Sequence, residues 1–175
     1  MNTLTPSTLY ILLQSCSTPS TFHWSLYTTN THGPLTRGTK HDLTDEKAPR
    51  RLWSYNSAPA NLLELQSQPV IAAVKVDVID DVEMLRGALE ECLGNVPRTA
   101  YSSLFREEMS CRVWVKEALW GLDQGGFIDL GDRGNVSGIQ GVEMEVVRAG
   151  LVAMWRGVFG VYELGEDGFV VREVG

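Results

Sequence analysis

Polar and apolar positions along this 175-residue chain change period several times, and each change marks an element. Thr8–Gln14 is a nearly unbroken apolar run that suits a buried strand, and Ser15–Thr21, with Pro19 inside, has turn composition. From Phe22 to Thr28 the pattern alternates. Phe22, Trp24 and Leu26 point one way, and His23, Ser25 and Tyr27 point the other. The two runs read as a hairpin. If the Phe22/Trp24/Leu26 side packs on a core, His23 is displayed on the opposite side from a rigid strand. Thr29–Arg37 then has loop composition, and Gly38–Leu43 predicts a short strand carrying His41 and Asp42. Asp45–Arg51 is charged and expected to be exposed. Leu52–Tyr55 is strand-like, and Ser57–Gln68 reads as a connector with one helical turn near Asn61–Leu65. Pro69–Val78, rich in β-branched residues and alanine, predicts a strand near the middle of a sheet.

The second half reads as mainly helical. Asp80 and Asp81 open a helix that runs to about Cys92, with Gly94 as its stop, so this acidic pair caps a helix rather than binding a metal. Asn95–Arg106 reads as a loop. Ser110 is a favoured N-cap, and Val113, Trp114, Val115, Ala118, Leu119 and Leu122 recur near helical spacing, so a helix begins at about Cys111. Asp123–Gly138 contains five glycines and predicts irregular structure, a candidate flap. Gln140 to about Val158 predicts a long amphipathic helix whose Met and Trp stripe reads as core. Phe159–Leu164 and Phe169–Val174 flank a Gly165–Gly168 turn, a hairpin signal. The expected architecture is α+β in a single domain, 1–175. Its core spans 7–122, an antiparallel sheet with the Cys111 helix packed on the face that displays His23, and a C-terminal helix and hairpin occupy 139–175.

Composition narrows the function. A hydrophobic share of 43% over this length builds a core without disulfide or metal support. The formal charge of -7 argues against a nucleic-acid or anionic-membrane binder. No apolar run approaches the ~20 residues of a membrane span, and no basic segment precedes the short run at Leu9–Leu13. Cys16, Cys92 and Cys111 are widely spaced and odd in number, which leaves a free thiol and suggests a reducing, cytoplasmic setting. The chain has no G-x-G-x-x-G, phosphate loop, H-E-x-x-H, C-x-x-C or G-x-S-x-G pattern, so neither metal nor cofactor is expected. A small-molecule or peptide substrate fits best.

Candidate chemistry then centres on Cys111. A thiol in the first turn of a helix meets unpaired backbone N–H groups and the positive end of the dipole, which favour thiolate. Thiol catalysis also needs an imidazole to move protons and a third polar group to hold that imidazole. His23 supplies the first, and His41 or Asp42 the second, since strand alternation lets only one of these two neighbours face His23. Trp24, Ser25 and Ser110 flank the pair and are expected to contact substrate.

The order His23-Trp24, then His41, then Cys111 resembles that of circularly permuted papain-like folds such as the lecithin:retinol acyltransferase-like proteins. A closer resemblance, over roughly Phe22 to Leu122, is to a family of short, largely uncharacterised fungal proteins. It rests on Phe22-His23-Trp24-Ser25-Leu26, Gly38-Thr39-Lys40, Trp53-Ser54-Tyr55, Ile71-Ala72-Ala73-Val74-Lys75-Val76 and Cys111-Arg112-Val113-Trp114-Val115-Lys116-Glu117-Ala118-Leu119. Two positions depart from that family. After Gly-Thr-basic it tends to carry an aromatic and then a histidine, where this chain has His41 and Asp42, and before the cysteine it usually has asparagine, here Ser110. The resemblance implies a permuted papain-like fold and cysteine-dependent hydrolysis or acyl transfer through a thioester on Cys111, and it slightly favours His41 as the third member. The alternatives are a cyclase or isomerase of fungal secondary metabolism, and a non-catalytic ligand-binding protein of the same fold.

Overall fold

The computed structural model describes residues 4–16, 21–46, 52–64, 69–164 and 172–173. Along the chain these form β1 (Thr8–Ser15), β2 (Phe22–Thr29), β3 (Arg37–Glu46), β4 (Leu52–Asn61), β5 (Val70–Val78), α1 (Val82–Gly94), β6 (Tyr101–Ser102), β7 (Glu107–Glu108), α2 (Cys111–Gln124), α3 (Val136–Arg156), β8 (Gly160–Glu163) and β9 (Arg172–Glu173). Seven strands make one mixed sheet in the order β4-β3-β2-β1-β5-β8-β9, and β6 and β7 pair separately. The fold is α+β. All neighbours in the large sheet are antiparallel except β5 and β8, whose parallel pairing is joined by the three helices. β5 lies between β1 and β8, the interior place that its β-branched sequence indicated.

Alternation along the strands sorts side chains into two apolar layers. Leu9, Ile11 and Leu13 of β1 and Trp24 and Leu26 of β2 join Ala72 and Val74 of β5 in the core beneath the helices. Tyr10, Leu12, Tyr27, Ala73 and Val161 form a second cluster, on the other face, with Leu35 and Leu62 packed against it. A helix layer on the Trp24/Leu26 face corrects the expectation that the Cys111 helix covers the face displaying His23. The apolar alternates recruit the helices, and His23 leads away from them.

Several boundaries also differ from the sequence reading. β3 and β4 pair over ten residues, Arg37↔Asn61 to Glu46↔Leu52, so the supposed connector from Ser57 is strand. Pro59 is tolerated there because β4 is an edge strand, where a missing N–H can face outward. Gly38 fixes the start of β3. A Cβ there would run into the Thr28 carbonyl and come within 2.8 Å of the Tyr27 ring, whose hydroxyl donates to the Thr36 carbonyl at 2.8 Å. A 3-10 turn at Leu62–Glu64 stands where one helical turn was expected, and β6 and β7 form a small hairpin spanning the expected loop.

The glycine-rich stretch is shorter than its composition suggested, because α2 runs to Gln124 and α3 begins at Val136. Between them the backbone is pinned: Leu130 N donates to Asp123 Oδ1 and Asp129 N to Asp77 Oδ2, each at 2.8 Å. Nothing in that bonding describes a flap. In α3 the Met and Trp stripe is not core, since Met144 is 70% and Trp155 87% exposed. The buried side is instead Val142, Val146, Ala149, Gly150 and Ala153. A Cβ on Gly150 would lie 2.5 Å from Leu13 Cδ1 and 3.0 Å from the Phe22 ring, so the helix sits too close to the sheet for large residues. At the end of the chain β8 and β9 pair antiparallel; the turn at 165–168, like the charged stretch 47–51, lies outside the described residues.

Candidate active site

Where β2 and β3 separate, the two faces of the sheet communicate. β2 stays paired with β1 as far as Phe22↔Ser15, but its pairing with β3 covers only Ser25↔Asp42 to Thr29↔Gly38. Beyond Ser25 no β3 carbonyl meets the Trp24 N–H, and Cys111 Sγ takes its place as acceptor at 3.5 Å. The sulfur, arriving from the helix layer, therefore sits in the split and meets His23, whose side chain belongs to the opposite face. The two groups shift each other's titration: the His23 imidazole favours the Cys111 thiolate and the Cys111 sulfur favours the His23 imidazolium.

Local sequence fixes the thiol at the start of α2. Ser110 is extended (φ -152°) and its Oγ accepts from Val113 N at 3.2 Å, so Cys111 is the first helical residue. Ser110 is thereby engaged as the cap of α2. Burial pushes the Cys111 thiol up, but the His23 imidazole, the Trp24 N–H and the Arg112 N–H together outweigh it and leave the thiol below its ordinary value.

On the other side of His23 stands Asp42. Ser25 and Asp42 are cross-strand partners, which puts Asp42 on the same face as His23 and one step along β3 from it. Asp42 Oδ2 lies 4.0 Å from His23 Nε2, an ion-pair separation longer than a direct hydrogen bond, and 2.5 Å from Lys40 Nζ. The Asp42 carboxylate and then the Cys111 sulfur raise His23 from 6.5 to about 9, against burial and the Lys40 charge. Burial works against the Asp42 carboxylate, yet His23 and Lys40 prevail and hold it below its ordinary value. Both trends favour a thiolate–imidazolium pair backed by a carboxylate.

His41 is not part of this group. It points to the helix side of β3, fully buried, with Nδ1 3.0 Å from the Tyr55 hydroxyl and Nε2 3.5 Å from Thr28 Oγ1. Its ring lies parallel to that of Tyr55 with centroids 6.3 Å apart. Burial, helped by Arg86, lowers it to about 4, so it is a neutral core histidine at ordinary pH. In the observed register, alternation puts Asp42 on the His23 face and His41 on the Leu26 face. The Trp24 side chain is also buried in the core, so that residue reaches the site through its backbone N–H alone. Ser25 is fully buried beside Asp42, and its Oγ and Asp42 Oδ1 have no hydrogen-bond partner among the described residues.

Two features were not singled out in the sequence. Lys40 could have been, since residues two apart on a strand share a face. The second is nonlocal: the Lys116 ammonium, 1% exposed, bonds Glu107 and, at 2.7 Å, Glu143 of α3, and Arg112 bonds the same two carboxylates. This network ties α2, just below Cys111, to β7 and α3.

Cys16, Cys92 and Cys111 are all free, and burial pushes the Cys92 thiol up, opposite to Cys111. A cavity of about 550 Å³ is lined by Asp77, Asp80, Asp123, Phe127, Ile128 and Asp129, and not by Cys111, His23 or Asp42. Three of its aspartates accept backbone N–H groups of the surrounding segments. Among the described residues, no group of His, Cys, Asp and Glu is arranged to hold a metal ion, and no helix is long and apolar enough to cross a membrane. No protein-family model matches the chain, and no curated protein or solved structure does either.

Proposed function

We propose that the protein is a cysteine-dependent hydrolase or acyltransferase acting on a small molecule or peptide, with Cys111 as nucleophile, His23 as general base and acid, and Asp42 orienting His23. The observation that carries this reading is a helix-start thiol, bonded to the backbone N–H next to His23 and made more acidic by that imidazole, which in turn has a carboxylate 4.0 Å from its Nε2. The chain order of His23, Asp42 and Cys111, and a thiol helix packed on an antiparallel section of sheet, support a permuted papain-like arrangement.

In this mechanism the Cys111 thiolate attacks the acyl carbonyl carbon, an S–C bond forms, and the carbonyl electron pair moves to oxygen. N–H groups of the first turn of α2 are the available donors for that oxyanion. Collapse breaks the bond to the leaving group, which takes a proton from the His23 imidazolium. Water, or an acceptor nucleophile, then gives its proton to His23 and attacks the thioester. Collapse of the second intermediate breaks the S–C bond and returns the thiolate–imidazolium pair with the acid or transferred acyl product.

Iodoacetamide titration with mass spectrometry tests the pair. Cys111 is expected to alkylate at pH 6 at least ~10-fold faster than Cys92, and His23→Gln is expected to remove that advantage. Equal rates for the two thiols, or an unchanged Cys111 rate in His23→Gln, defeat the reading. Loss of the advantage combined with thioester formation on Cys111 by an activated acyl ester distinguishes catalysis from binding.

A further inference from the structure

Asp42 serves two cations with one oxygen. Lys40 Nζ is 2.5 Å from Oδ2, His23 Nε2 is 4.0 Å from the same atom, and Oδ1 is buried with no hydrogen-bond partner among the described residues. A carboxylate whose only task was to orient His23 would close to hydrogen-bond distance, about 2.7–2.9 Å for a charged pair. Instead the ammonium holds it back. We propose that Lys40 is a positioning residue of the Cys111–His23 pair: by gripping the oxygen that faces His23 it keeps Asp42 from closing on the imidazole, and so limits how firmly the imidazolium is held. The inference rests on the thiol reading above for its functional meaning, not for its geometry.

Among the described residues the charged groups around His23 are few, and the effect can be traced to them. β3 contributes Asp42 and Lys40, and α2 contributes Cys111. β1 places Gln14 opposite His23, and β4 places Asn56 and Ala58 opposite Asp42 and Lys40, none of them titratable. Tyr27, opposite Lys40, is kept protonated by burial, and the Arg112 guanidinium is engaged by Glu107 and Glu143. The Lys40 and Asp42 side chains are only 15% and 9% exposed, so solvent screening of their contact is weak. Consistent with this competition, the Lys40 charge opposes protonation of His23.

Were His23 left alone with Asp42, its proton would be harder to give up, and a general acid that holds its proton too firmly protonates leaving groups poorly. Lys40 therefore acts as a brake on the carboxylate, keeping the pair nearer its working range. The ammonium bonds Asp42, and its charge also acts on His23 directly in the same sense, against the imidazolium.

The test is the ring-proton titration of His23 by NMR in the full chain, beside the pH profile of Cys111 alkylation. In Lys40→Met the His23 midpoint is expected to rise by at least ~0.5 pH unit, a roughly threefold higher imidazolium-to-imidazole ratio at the wild-type midpoint. The onset of Cys111 reactivity should move to lower pH with it. Lys40→Arg, which keeps the cation, should stay near wild type, and Lys40→Gln should follow Lys40→Met if the latter does not fold. A midpoint that is unmoved or lowered in the Met and Gln variants, even with reduced thermal stability, overturns the inference, because a merely structural lysine would behave that way. If wild-type Cys111 proves no more reactive than Cys92, the thiol reading fails on its own. The His23 midpoint still reports whether Lys40 governs Asp42.

Discussion

Asp42→Asn is the substitution that most directly probes the site, because it removes the charge behind His23 while keeping its shape. His23 stands at about 9 against an ordinary 6.5, and at ~1.4 kcal/mol per pH unit that gap is roughly 3 kcal/mol of preference for the imidazolium. Asp42 is the largest contributor to it. The variant should therefore lower the His23 midpoint by about 1 pH unit or more, some tenfold in protonation at fixed pH. Stability should follow with a defined sign. A raised histidine contributes fully below its unfolded value of 6.5 and loses that contribution as pH climbs through about 9. Asp42, held low, contributes above its ordinary carboxylate value and loses that contribution in acid. Wild type should thus exceed the variant most between about pH 4 and 6.5, by ~1 to 2 kcal/mol after allowing for partial exposure, and the gap should narrow toward pH 9. NMR titration of His23, assigned with His23→Gln, and urea unfolding at pH 6 and pH 9 measure both. A His23 midpoint within ~0.3 of wild type, or a stability gap that widens with pH, would refute the placement of Asp42 behind the imidazole.

Other outcomes follow from the same geometry. His41→Ala should leave the His23 midpoint and the Cys111 alkylation rate at wild-type values while costing about 2 to 4 kcal/mol in urea unfolding, because it empties a buried position and strands the Tyr55 hydroxyl. Lys116→Met leaves Glu107 and Glu143 sharing Arg112 alone in a shielded place. A loss of ~2 to 4 kcal/mol is expected, seen as a lower thermal midpoint, and it should shrink in the Glu143→Gln background. Ser110→Ala removes the cap on α2 and should cost ~1 kcal/mol while raising the pH at which Cys111 becomes reactive; an unchanged alkylation profile would separate the helix start from the thiol's acidity.

Much of the site was written in local pattern. The alternation of Phe22-His23-Trp24-Ser25-Leu26 decides that His23 and Trp24 face opposite ways, and Ser110 decides that Cys111 opens a helix, because both are properties of neighbouring residues and a fixed period. Glycine at position 38 foreshadowed a close approach of backbones without saying to what. What local pattern could not decide was register. Whether His41 or Asp42 joins His23 depends on Ser25↔Asp42 pairing. The meeting of Cys111 with a histidine on the opposite face depends on β3 leaving β2 after Ser25, a break in pairing to which no single residue type corresponds. The same holds for α3, where the large apolar residues face outward because Gly150 brings the helix against Leu13 and Phe22, and for Lys116, whose partners lie in two other elements. Periodicity records which residues share a face of one element. Which faces are then covered, and at what distance, is settled only when the elements pack, since burial energy is a property of the pair of surfaces and not of either alone.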